Sequence, residues 1–154
     1  MEFIISSVAD HDEEQTIISN LWEYNSHVTP VDIQPLRIIV KNERKEIIGG
    51  VIARTWWGGL DIQYLWVAQA HRKMGIGKKL MQSVQQEALT RCCHMAYVDT
   101  FSFQALGFYQ RLGFSKYGEL AGFAHRHTRY YLSKSLTIDA SLLSPLQDHN
   151  NDGK

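Results

Sequence analysis

The stretch HRKMGIGKKL, from His71 to Leu80, decides how the rest of the chain is read. Two glycines, Gly75 and Gly77, open what the following apolar periodicity predicts to be a helix. Four cations crowd around that opening, where the helix dipole already carries partial positive charge and disfavours them. These cations are Arg72, Lys73, Lys78 and Lys79. A local conflict of this kind is typical of a functional site.

A glycine-rich turn at the start of a helix is suited to binding an anion. The first backbone N–H groups of a helix lack intrahelical partners and point away from the helix body. Glycines let that backbone approach a ligand closely. These features predict a phosphate or pyrophosphate site, because bound phosphate would offset the repulsion of the cations. The alternative is a simple turn with a solvated basic surface.

Two better-known phosphate-binding motifs fit this stretch poorly. A dinucleotide fingerprint needs a third glycine, and Leu80 stands in that place. A nucleotide-binding P-loop would need glycine at Arg72 and Ser or Thr at Lys79. The turn is therefore not explained by either motif.

The composition of the whole chain is that of an ordinary globular protein. It has 154 residues, of which 44% are apolar and 21% charged, which suits one compact domain with a real core. Lys and Arg total 16, as do Asp and Glu, so the formal net charge is zero. A neutral chain argues against a dedicated nucleic-acid or membrane-surface binder, and we expect neither partner.

The cysteines and the apolar runs indicate in which cellular compartment the protein is expected. Cys92 and Cys93 are adjacent and do not form a disulfide framework. No spacing of Cys and His indicates a metal site, so we expect no metal. The N-terminal residues lack the regions of a signal peptide, and no apolar run reaches the roughly 20 residues that span a bilayer. We expect a soluble, cytoplasmic protein.

Hydrophobic periodicity predicts a chain of alternating strands and helices. The predicted strands cover residues 3–8, 36–40, 47–57, 60–67, 95–100, 114–120 and 128–132. The predicted helices follow the N-cap Asp10, follow Gly75 and cover residues 104–112. This order predicts a mixed α/β sheet whose central strand–helix–strand unit is a parallel crossover. We expect a domain over residues 1–137 and a polar tail over 138–154.

Two motifs resemble those of a known family. The pattern Arg-x-x-Gly-x-Gly, met here as Arg72, Gly75 and Gly77, resembles the central motif of the GNAT family of N-acetyltransferases. The stretch SFQALGFYQRLGF, Ser102 to Phe114, resembles the family's element in which a helix carries Phe-Tyr and ends in Gly-Phe. The resemblance implies a single-domain α/β fold, with a mixed, mostly antiparallel central sheet, a splayed parallel strand pair and flanking helices.

The resemblance also implies a cofactor site. In the GNAT family the pyrophosphate of acetyl-coenzyme A sits on the glycine turn, and pantetheine fills the gap between the splayed strands. Backbone groups at the strand end would polarise the acetyl carbonyl as an oxyanion hole does. The family often has Asn where Ser102 stands, so one contact to pantetheine differs here. The implied cofactor-binding residues are Leu65, Trp66, Val67, Arg72, Lys73, Met74, Gly75, Ile76, Gly77, Lys78, Thr100, Ser102 and Phe108.

The implied reaction is direct transfer of acetyl from the thioester sulfur to an amine. Tyr109 matches the family's general acid, since a phenol with a pKa of about 10 stays protonated at neutral pH. Without the resemblance, Tyr109 would be interpreted as a core aromatic beside Phe108. The general base stays open among four candidates. These are Glu23, Asp61, His125 and His127, any of which could act through water.

The acceptor is expected at the end of the first helix, near the strand around Trp57 and at the last strands. We expect Tyr24, Asn25 and His127 to contact it. Further aromatic candidates for the pocket lining are Trp22, Trp57, Phe101 and Phe103. We predict a small-molecule amine as acceptor. The alternatives are a lysine or N-terminus of a protein or peptide, and a non-catalytic regulatory module that binds acyl-coenzyme A; the resemblance allows a homodimer.

Overall fold

The computed structural model describes residues 1–137, and the predicted tail at 138–154 lies outside the described residues. These residues form two compact units, Met1–Ile33 and the chain from Gln34 onward. The first unit contains one helix, α1 (His11–Ser26). The carboxylate of Asp10 accepts hydrogen bonds from the N–H groups of Asp12 and Glu13, both at 3.0 Å. This is the predicted N-cap, and it satisfies two of the helix's unpaired donors.

The strand predicted over residues 3–8 is wrong. This stretch is irregular and exposed. The Ser6 hydroxyl donates to the carbonyl of Val8 at 3.2 Å and accepts from the Val8 N–H at 3.0 Å. Local side-chain hydrogen bonds of this kind compete with the backbone pairing of a strand, which apolar alternation alone does not secure.

The second unit is built on a six-stranded sheet. Its strands are β1 (Gln34–Lys41), β2 (Ile47–Trp56), β3 (Gly59–Val67), β4 (Met95–Phe101), β5 (Ser115–Phe123) and β6 (His127–Ser135). They lie in the order β1-β2-β3-β4-β6-β5 across the sheet. Strands β3 and β4 pair in parallel, and the other neighbours pair antiparallel. The predicted mixed, mostly antiparallel sheet is confirmed.

Two α-helices connect strands of this sheet. Helix α2 (Ile76–Thr90) links the parallel strands β3 and β4, as the crossover prediction required. A short 3-10 helix, Gln69–His71, precedes it, and α3 (Leu106–Arg111) links β4 to β5. The buried residues of α2 recur at helical spacing and form one stripe against the sheet. They are Leu80, Met81, Val84, Gln85 and Ala88.

The core lies between α2, α3 and one face of the sheet. Alternate residues of the central strands point into it, which is the period expected of a sheet with one covered face. The buried strand residues at its centre are Val51, Ala53, Leu60, Ile62, Ala96, Val98 and Leu132. The opposite face of the same strands therefore carries the intervening side chains, several of them polar or aromatic.

The turn between β2 and β3 shifts one predicted boundary. Sequence periodicity carried the strand through Trp57, but β2 ends at Trp56. Trp57 has φ of 48° and Gly58 has φ of 76°, so both turn residues lie in the left-handed region. Two such residues form a tight hairpin turn whose twist matches that of the strands.

Candidate functional site

The parallel strands β3 and β4 pair over only part of their length. Their register runs from Gly59 opposite Met95 to Ile62 opposite Val98 and stops there. On the other side of β3, Ile52 faces Tyr64 and Ala53 faces Ile62, which leaves Gln63 as an extra residue. A bulge bends the strand that carries it. The bulge at Gln63 thus marks the point at which β3 departs from β4.

A cleft of about 1380 Å³ opens where the two strands separate. One side is formed by β3 from Asp61 to Val67, and the other by β4 from Val98 to Phe101 and by residues of α3. Beyond Ile62, none of the strands described within residues 1–137 pairs with the edge of β3 that faces the cleft. Its backbone N–H and C=O groups are therefore available to a ligand.

The glycine turn lies at the end of β3. Gly75 is the N-cap of α2, with φ of 79°, a conformation that favours glycine. No side chain in the described part of the chain caps α2, and its first turn holds no acidic residue. The Arg72 Nε donates to the carbonyl of Val67 at 3.0 Å, which fixes the turn to the strand.

Gly77 lies at the start of α2, where the space around it would accept a larger residue. A Cβ at this position would lie 3.5 Å from Cζ of Phe108, which is an ordinary van der Waals contact. Internal packing therefore does not demand glycine at this residue. Gly77 lines the cleft together with Arg72 and Lys73. An uncapped helix start, an open glycine and two cations fit a pyrophosphate.

The predicted cofactor-binding residues are distributed between the cleft and its rim. Those that line the cleft are Leu65, Trp66, Val67, Arg72, Lys73, Gly77, Thr100 and Phe108. Met74, Gly75 and Ile76 belong to the turn and the first residue of α2. Lys78 instead lines a groove beside α2. The described geometry therefore brings most of the predicted set to one cleft.

Ser102, where the family often has Asn, has a structural partner. Its hydroxyl oxygen accepts a hydrogen bond from the Thr128 N–H at 3.3 Å, and its own N–H donates to the Thr128 carbonyl at 2.8 Å. Gln104, which the sequence analysis missed, lines the cleft. Its Oε1 accepts from the Phe101 N–H at 2.8 Å. The sequence signal for Gln104 was an amide side chain two residues after Ser102.

Tyr109 lies on α3 and lines the cleft. Only 6% of its surface is exposed, and its ring packs edge-on against Phe108 and Phe114 at centroid distances of 5.2 and 6.0 Å. Burial, with a smaller contribution from the negative charge of Asp99, raises the pKa of Tyr109 to about 12. The phenol is thus a neutral hydrogen-bond donor at physiological pH.

The predicted acceptor residues lie in both units. Tyr24 and Asn25 belong to the last turn of α1, where their carbonyl oxygens accept backbone hydrogen bonds from the residues that follow. His127 begins β6 and packs edge-on against Phe103 at 4.6 Å. Phe103 itself lines the cleft and stacks on Phe101 at 5.4 Å.

Two carboxylates on the face of the sheet opposite α2 line the cleft, and each forms an ion pair with an arginine. Asp61 binds Arg54 at 2.9 Å, and Asp99 binds Arg129 at 2.7 Å. Asp61 was a candidate base, whereas Asp99 and Arg129 were missed. The sequence signal for Asp99 and Arg129 was that polar residues occupy outward positions of otherwise apolar strands. Of the other three base candidates, Glu23 belongs to α1, His125 lies in the turn between β5 and β6, and His127 begins β6.

Residues 1–137 contain neither a candidate metal site nor a helix that could span a membrane. No group of three or more His, Cys, Asp or Glu side chains in this range is arranged to hold a metal ion. No helix within the same range is long and apolar enough to cross a membrane.

Comparison with known proteins assigns the family. Residues 6–114 match the model of the Acetyltransferase (GNAT) family. The chain is 36% identical to an acetyltransferase of Agrobacterium fabrum over 135 residues, covering 87% of this chain and 98% of the relative. It is 32% identical to the blasticidin-S acetyltransferase of Streptomyces morookaense, over 70% and 83% of the two chains.

The same assignment follows from a solved structure. The crystal structure of an acetyltransferase candidate from Agrobacterium tumefaciens superposes with a TM-score of 0.83 at 35% identity, covering 88% of this chain and 99% of that one. The chain belongs to the acetyltransferase (GNAT) family and is an N-acetyltransferase that uses acetyl-coenzyme A as its acetyl donor.

Proposed function

We propose that this enzyme moves the acetyl group directly from acetyl-coenzyme A to an amine of a small molecule, with Tyr109 as the general acid. The observation that carries the proposal is the position of the buried Tyr109 phenol. It lines the cleft that opens where β3 leaves β4, beside the glycine turn that begins α2.

The glycine turn would hold the pyrophosphate. The free N–H groups at the start of α2, from Ile76 to Lys78, provide donors, and Arg72 and Lys73 provide positive charge. Gly77 leaves room for the phosphate oxygens to approach the backbone. Met74 and Gly75 shape the turn.

The separated strands would hold the pantetheine arm. Leu65, Trp66 and Val67 offer backbone groups on the edge of β3 that none of the six described strands covers. Amides of the arm can pair with this edge as an added strand does. Thr100 and Phe108 would contact the arm from the other side of the cleft. Ser102 still holds its hydroxyl proton, which it can donate toward the same arm.

The chemistry needs a donor to the leaving sulfur. The amine attacks the thioester carbonyl, the carbon–sulfur bond breaks, and the thiolate of coenzyme A receives a proton. Tyr109 is neutral at physiological pH and is therefore able to hydrogen-bond and protonate that sulfur. A pKa raised to about 12 makes it a weak acid, so its main effect is donation as negative charge develops on sulfur.

A small-molecule acceptor is supported by the relative at 32% identity, whose name gives blasticidin S as its substrate. The aromatic side chains Phe101 and Phe103 line the cleft and suit a compact, partly apolar molecule. We further propose Tyr24, Asn25 and His127 as acceptor contacts. Among the base candidates, Asp61 is the one that lines the cleft. A homodimer and a cytoplasmic location stay predictions.

The test is a thiol-release assay with acetyl-coenzyme A over a panel of acceptors. The panel contains aromatic and aliphatic amines, blasticidin S, an aminoglycoside, a lysine peptide and a peptide with a free N-terminus. We expect release with a small amine, with mass spectrometry showing an acetylated product. Release with peptides alone would replace the small molecule by a protein acceptor. Binding of acetyl-coenzyme A without release would favour a regulatory module.

A further inference from the structure

Asp99 lies where the cleft begins. It is the first residue of β4 beyond Val98, the last residue that pairs with β3. Its neighbours Val98 and Thr100 are buried in the core, so the side chain of Asp99 faces the opposite side of the sheet. Both Asp99 and Tyr109 line the cleft. The carboxylate therefore stands at the junction of the two strands, on the side away from α2.

Arg129 holds this carboxylate in a fixed position. Its Nε donates to Oδ1 of Asp99 at 3.0 Å, and its Nη2 approaches Oδ2 at 2.7 Å. Two parallel contacts of this kind set the orientation as well as the distance. The side chain of Asp99 is nevertheless 40% exposed. Each carboxylate oxygen keeps a lone pair for a further donor.

The surroundings of the pair are mainly aromatic. The guanidinium of Arg129 lies 5.9 Å from the ring centroid of Phe101 and 5.3 Å from that of Tyr131. Phe101 in turn stacks on Phe103 and meets the edge of Phe123. A carboxylate beside an aromatic wall is suited to a cation or an N–H donor attached to a flat, apolar body.

The second carboxylate of the cleft differs in its position. Asp61 lies in the part of β3 that pairs with β4, opposite Tyr97. Its side chain is only 16% exposed, and Arg54 contacts it at 2.9 Å. Asp99 is more open and lies beyond the paired segment. Its negative charge also makes the smaller contribution to the raised pKa of Tyr109.

We propose that Asp99, oriented by Arg129, binds the amino group of the acceptor, and that the acceptors are small amines that are cationic at neutral pH and carry an aromatic or heteroaromatic group. This inference rests on the proposed function, because it concerns the acceptor of the same reaction. It assigns Asp99 as the acceptor-binding residue and Arg129 as a positioning residue.

The Asp99–Arg129 pair would orient the amine and still leave the lone pair of its nitrogen free to attack. An ammonium ion loses one proton to water before its nitrogen attacks, and the nitrogen loses a second proton as the amide forms. Coenzyme A leaves with one proton, so the reaction releases one proton overall. A lone carboxylate would raise the amine's pKa and hinder the first loss. The guanidinium of Arg129 offsets that charge, so Asp99 can orient the amine N–H while the lone pair stays available.

The test compares Asp99→Asn with the wild type, using the best amine of the acceptor panel. Asparagine keeps the size of the side chain but removes its charge. We expect KM for the amine to rise about 10- to 100-fold, the range that loss of a charged hydrogen bond gives. The Kd for acetyl-coenzyme A, measured by calorimetry, should stay within about twofold. Asp99→Glu should recover part of the loss because it restores the charge.

Two controls make the result specific. Glu119→Gln removes a carboxylate from the Lys116–Glu119 ion pair on β5, which does not line the cleft, and should leave both constants unchanged. The hydroxyl analogue of the amine, used as an inhibitor, should bind the wild type more weakly than the amine does. In Asp99→Asn, the amine and its hydroxyl analogue should bind about equally.

The outcomes separate this inference from the proposed function. If the wild type acetylates an amine and Asp99→Asn keeps the wild-type KM and preference for amine over hydroxyl, Asp99 does not bind the acceptor. If the wild type binds acetyl-coenzyme A but acetylates no small amine, the proposed function falls and this inference falls with it.

Discussion

The two halves of β3 have different tasks, and the alternation of their side chains shifts by one residue at the bulge between them. From Gly59 to Ile62, β3 pairs with β4, and its inward residues are almost fully buried. From Gln63 onward the strands separate, and Tyr64 and Trp66 are 70% and 52% exposed. The first half holds the sheet together. The second half does not pair with β4, and it therefore leaves a backbone edge and a cleft for ligands.

A single extra residue, Gln63, divides β3 into a structural part and a part that faces the cleft. β3 stays paired with β2 on both sides of the bulge at Gln63, whereas its pairing with β4 ends at Ile62. Among the β3 residues that line the cleft, Asp61 and Ile62 precede this division, and those from Gln63 to Val67 lie at or beyond it. Substitutions on the two sides should therefore affect different measurements.

The largest effect is expected at the end of the open half, for Gly77→Glu. A carboxylate beside the turn would repel the pyrophosphate and fill the space that glycine leaves. We expect calorimetry to show acetyl-coenzyme A binding weakened by roughly 1,000-fold or more, which corresponds to about 4 kcal/mol. Gln82→Glu, which adds the same charge on an exposed position of α2, is the matched control. Equal affinities in the two variants would exclude the turn as the anion site.

The next effect belongs to the paired half. Leu60 is fully buried, so Leu60→Ala should lower the free energy of unfolding by about 2–5 kcal/mol through lost contacts and a cavity. Denaturant titration measures this loss. Where the variant remains folded, its Kd for acetyl-coenzyme A should be close to that of the wild type. A large change in Kd at full folding would mean that the two halves are not separable.

Tyr109→Phe should act on turnover instead of on binding. The ring stays in its packed position, but the donor to the sulfur is lost, so kcat should fall by roughly 100-fold. The affinity for acetyl-coenzyme A should change little. Tyr117→Phe, an exposed phenol on β5 outside the cleft, serves as the control. Unchanged kcat in Tyr109→Phe would mean that water or the acceptor protonates the sulfur.

A smaller effect concerns the pH dependence of turnover. The acid must be neutral, and burial raises the pKa of Tyr109 to about 12, so only about 1% of it is ionised at pH 10. Activity should therefore show no alkaline decline due to Tyr109 between about pH 8 and pH 10. A kcat–pH profile tests this point. A decline with an apparent pKa below 10 that disappears in Tyr109→Phe would contradict it.

Much of the fold was predictable because periodicity and capping are local signals. The apolar stripe from Leu80 to Ala88 and the cap at Asp10 were both identified from neighbouring residues. The strand predicted at residues 3–8 failed because a strand also needs a partner, which alternation does not reveal. The motifs around Gly77 and Tyr109 indicated the cleft, since each carries its own chemistry.

Other parts of the site could not be read from the sequence. The Asp99–Arg129 pair joins residues 30 positions apart, and it depends on the pairing of β4 with β6. The bulge at Gln63 has no sequence signal of its own, because it is defined by the register of β3 against β2. Hydrogen bonds such as that between Ser102 and Thr128 likewise depend on which strands become neighbours.

The most direct test is amide hydrogen exchange with and without saturating acetyl-coenzyme A. We predict that ligand protects residues 63–67 and 72–78, where the uncovered edge of β3 and the start of α2 offer free N–H groups. Exchange at residues 59–62, which are already paired, should not change. Protection confined to other parts of the chain, with residues 63–67 and 72–78 unaffected, would contradict the assignment of the open half as the donor site.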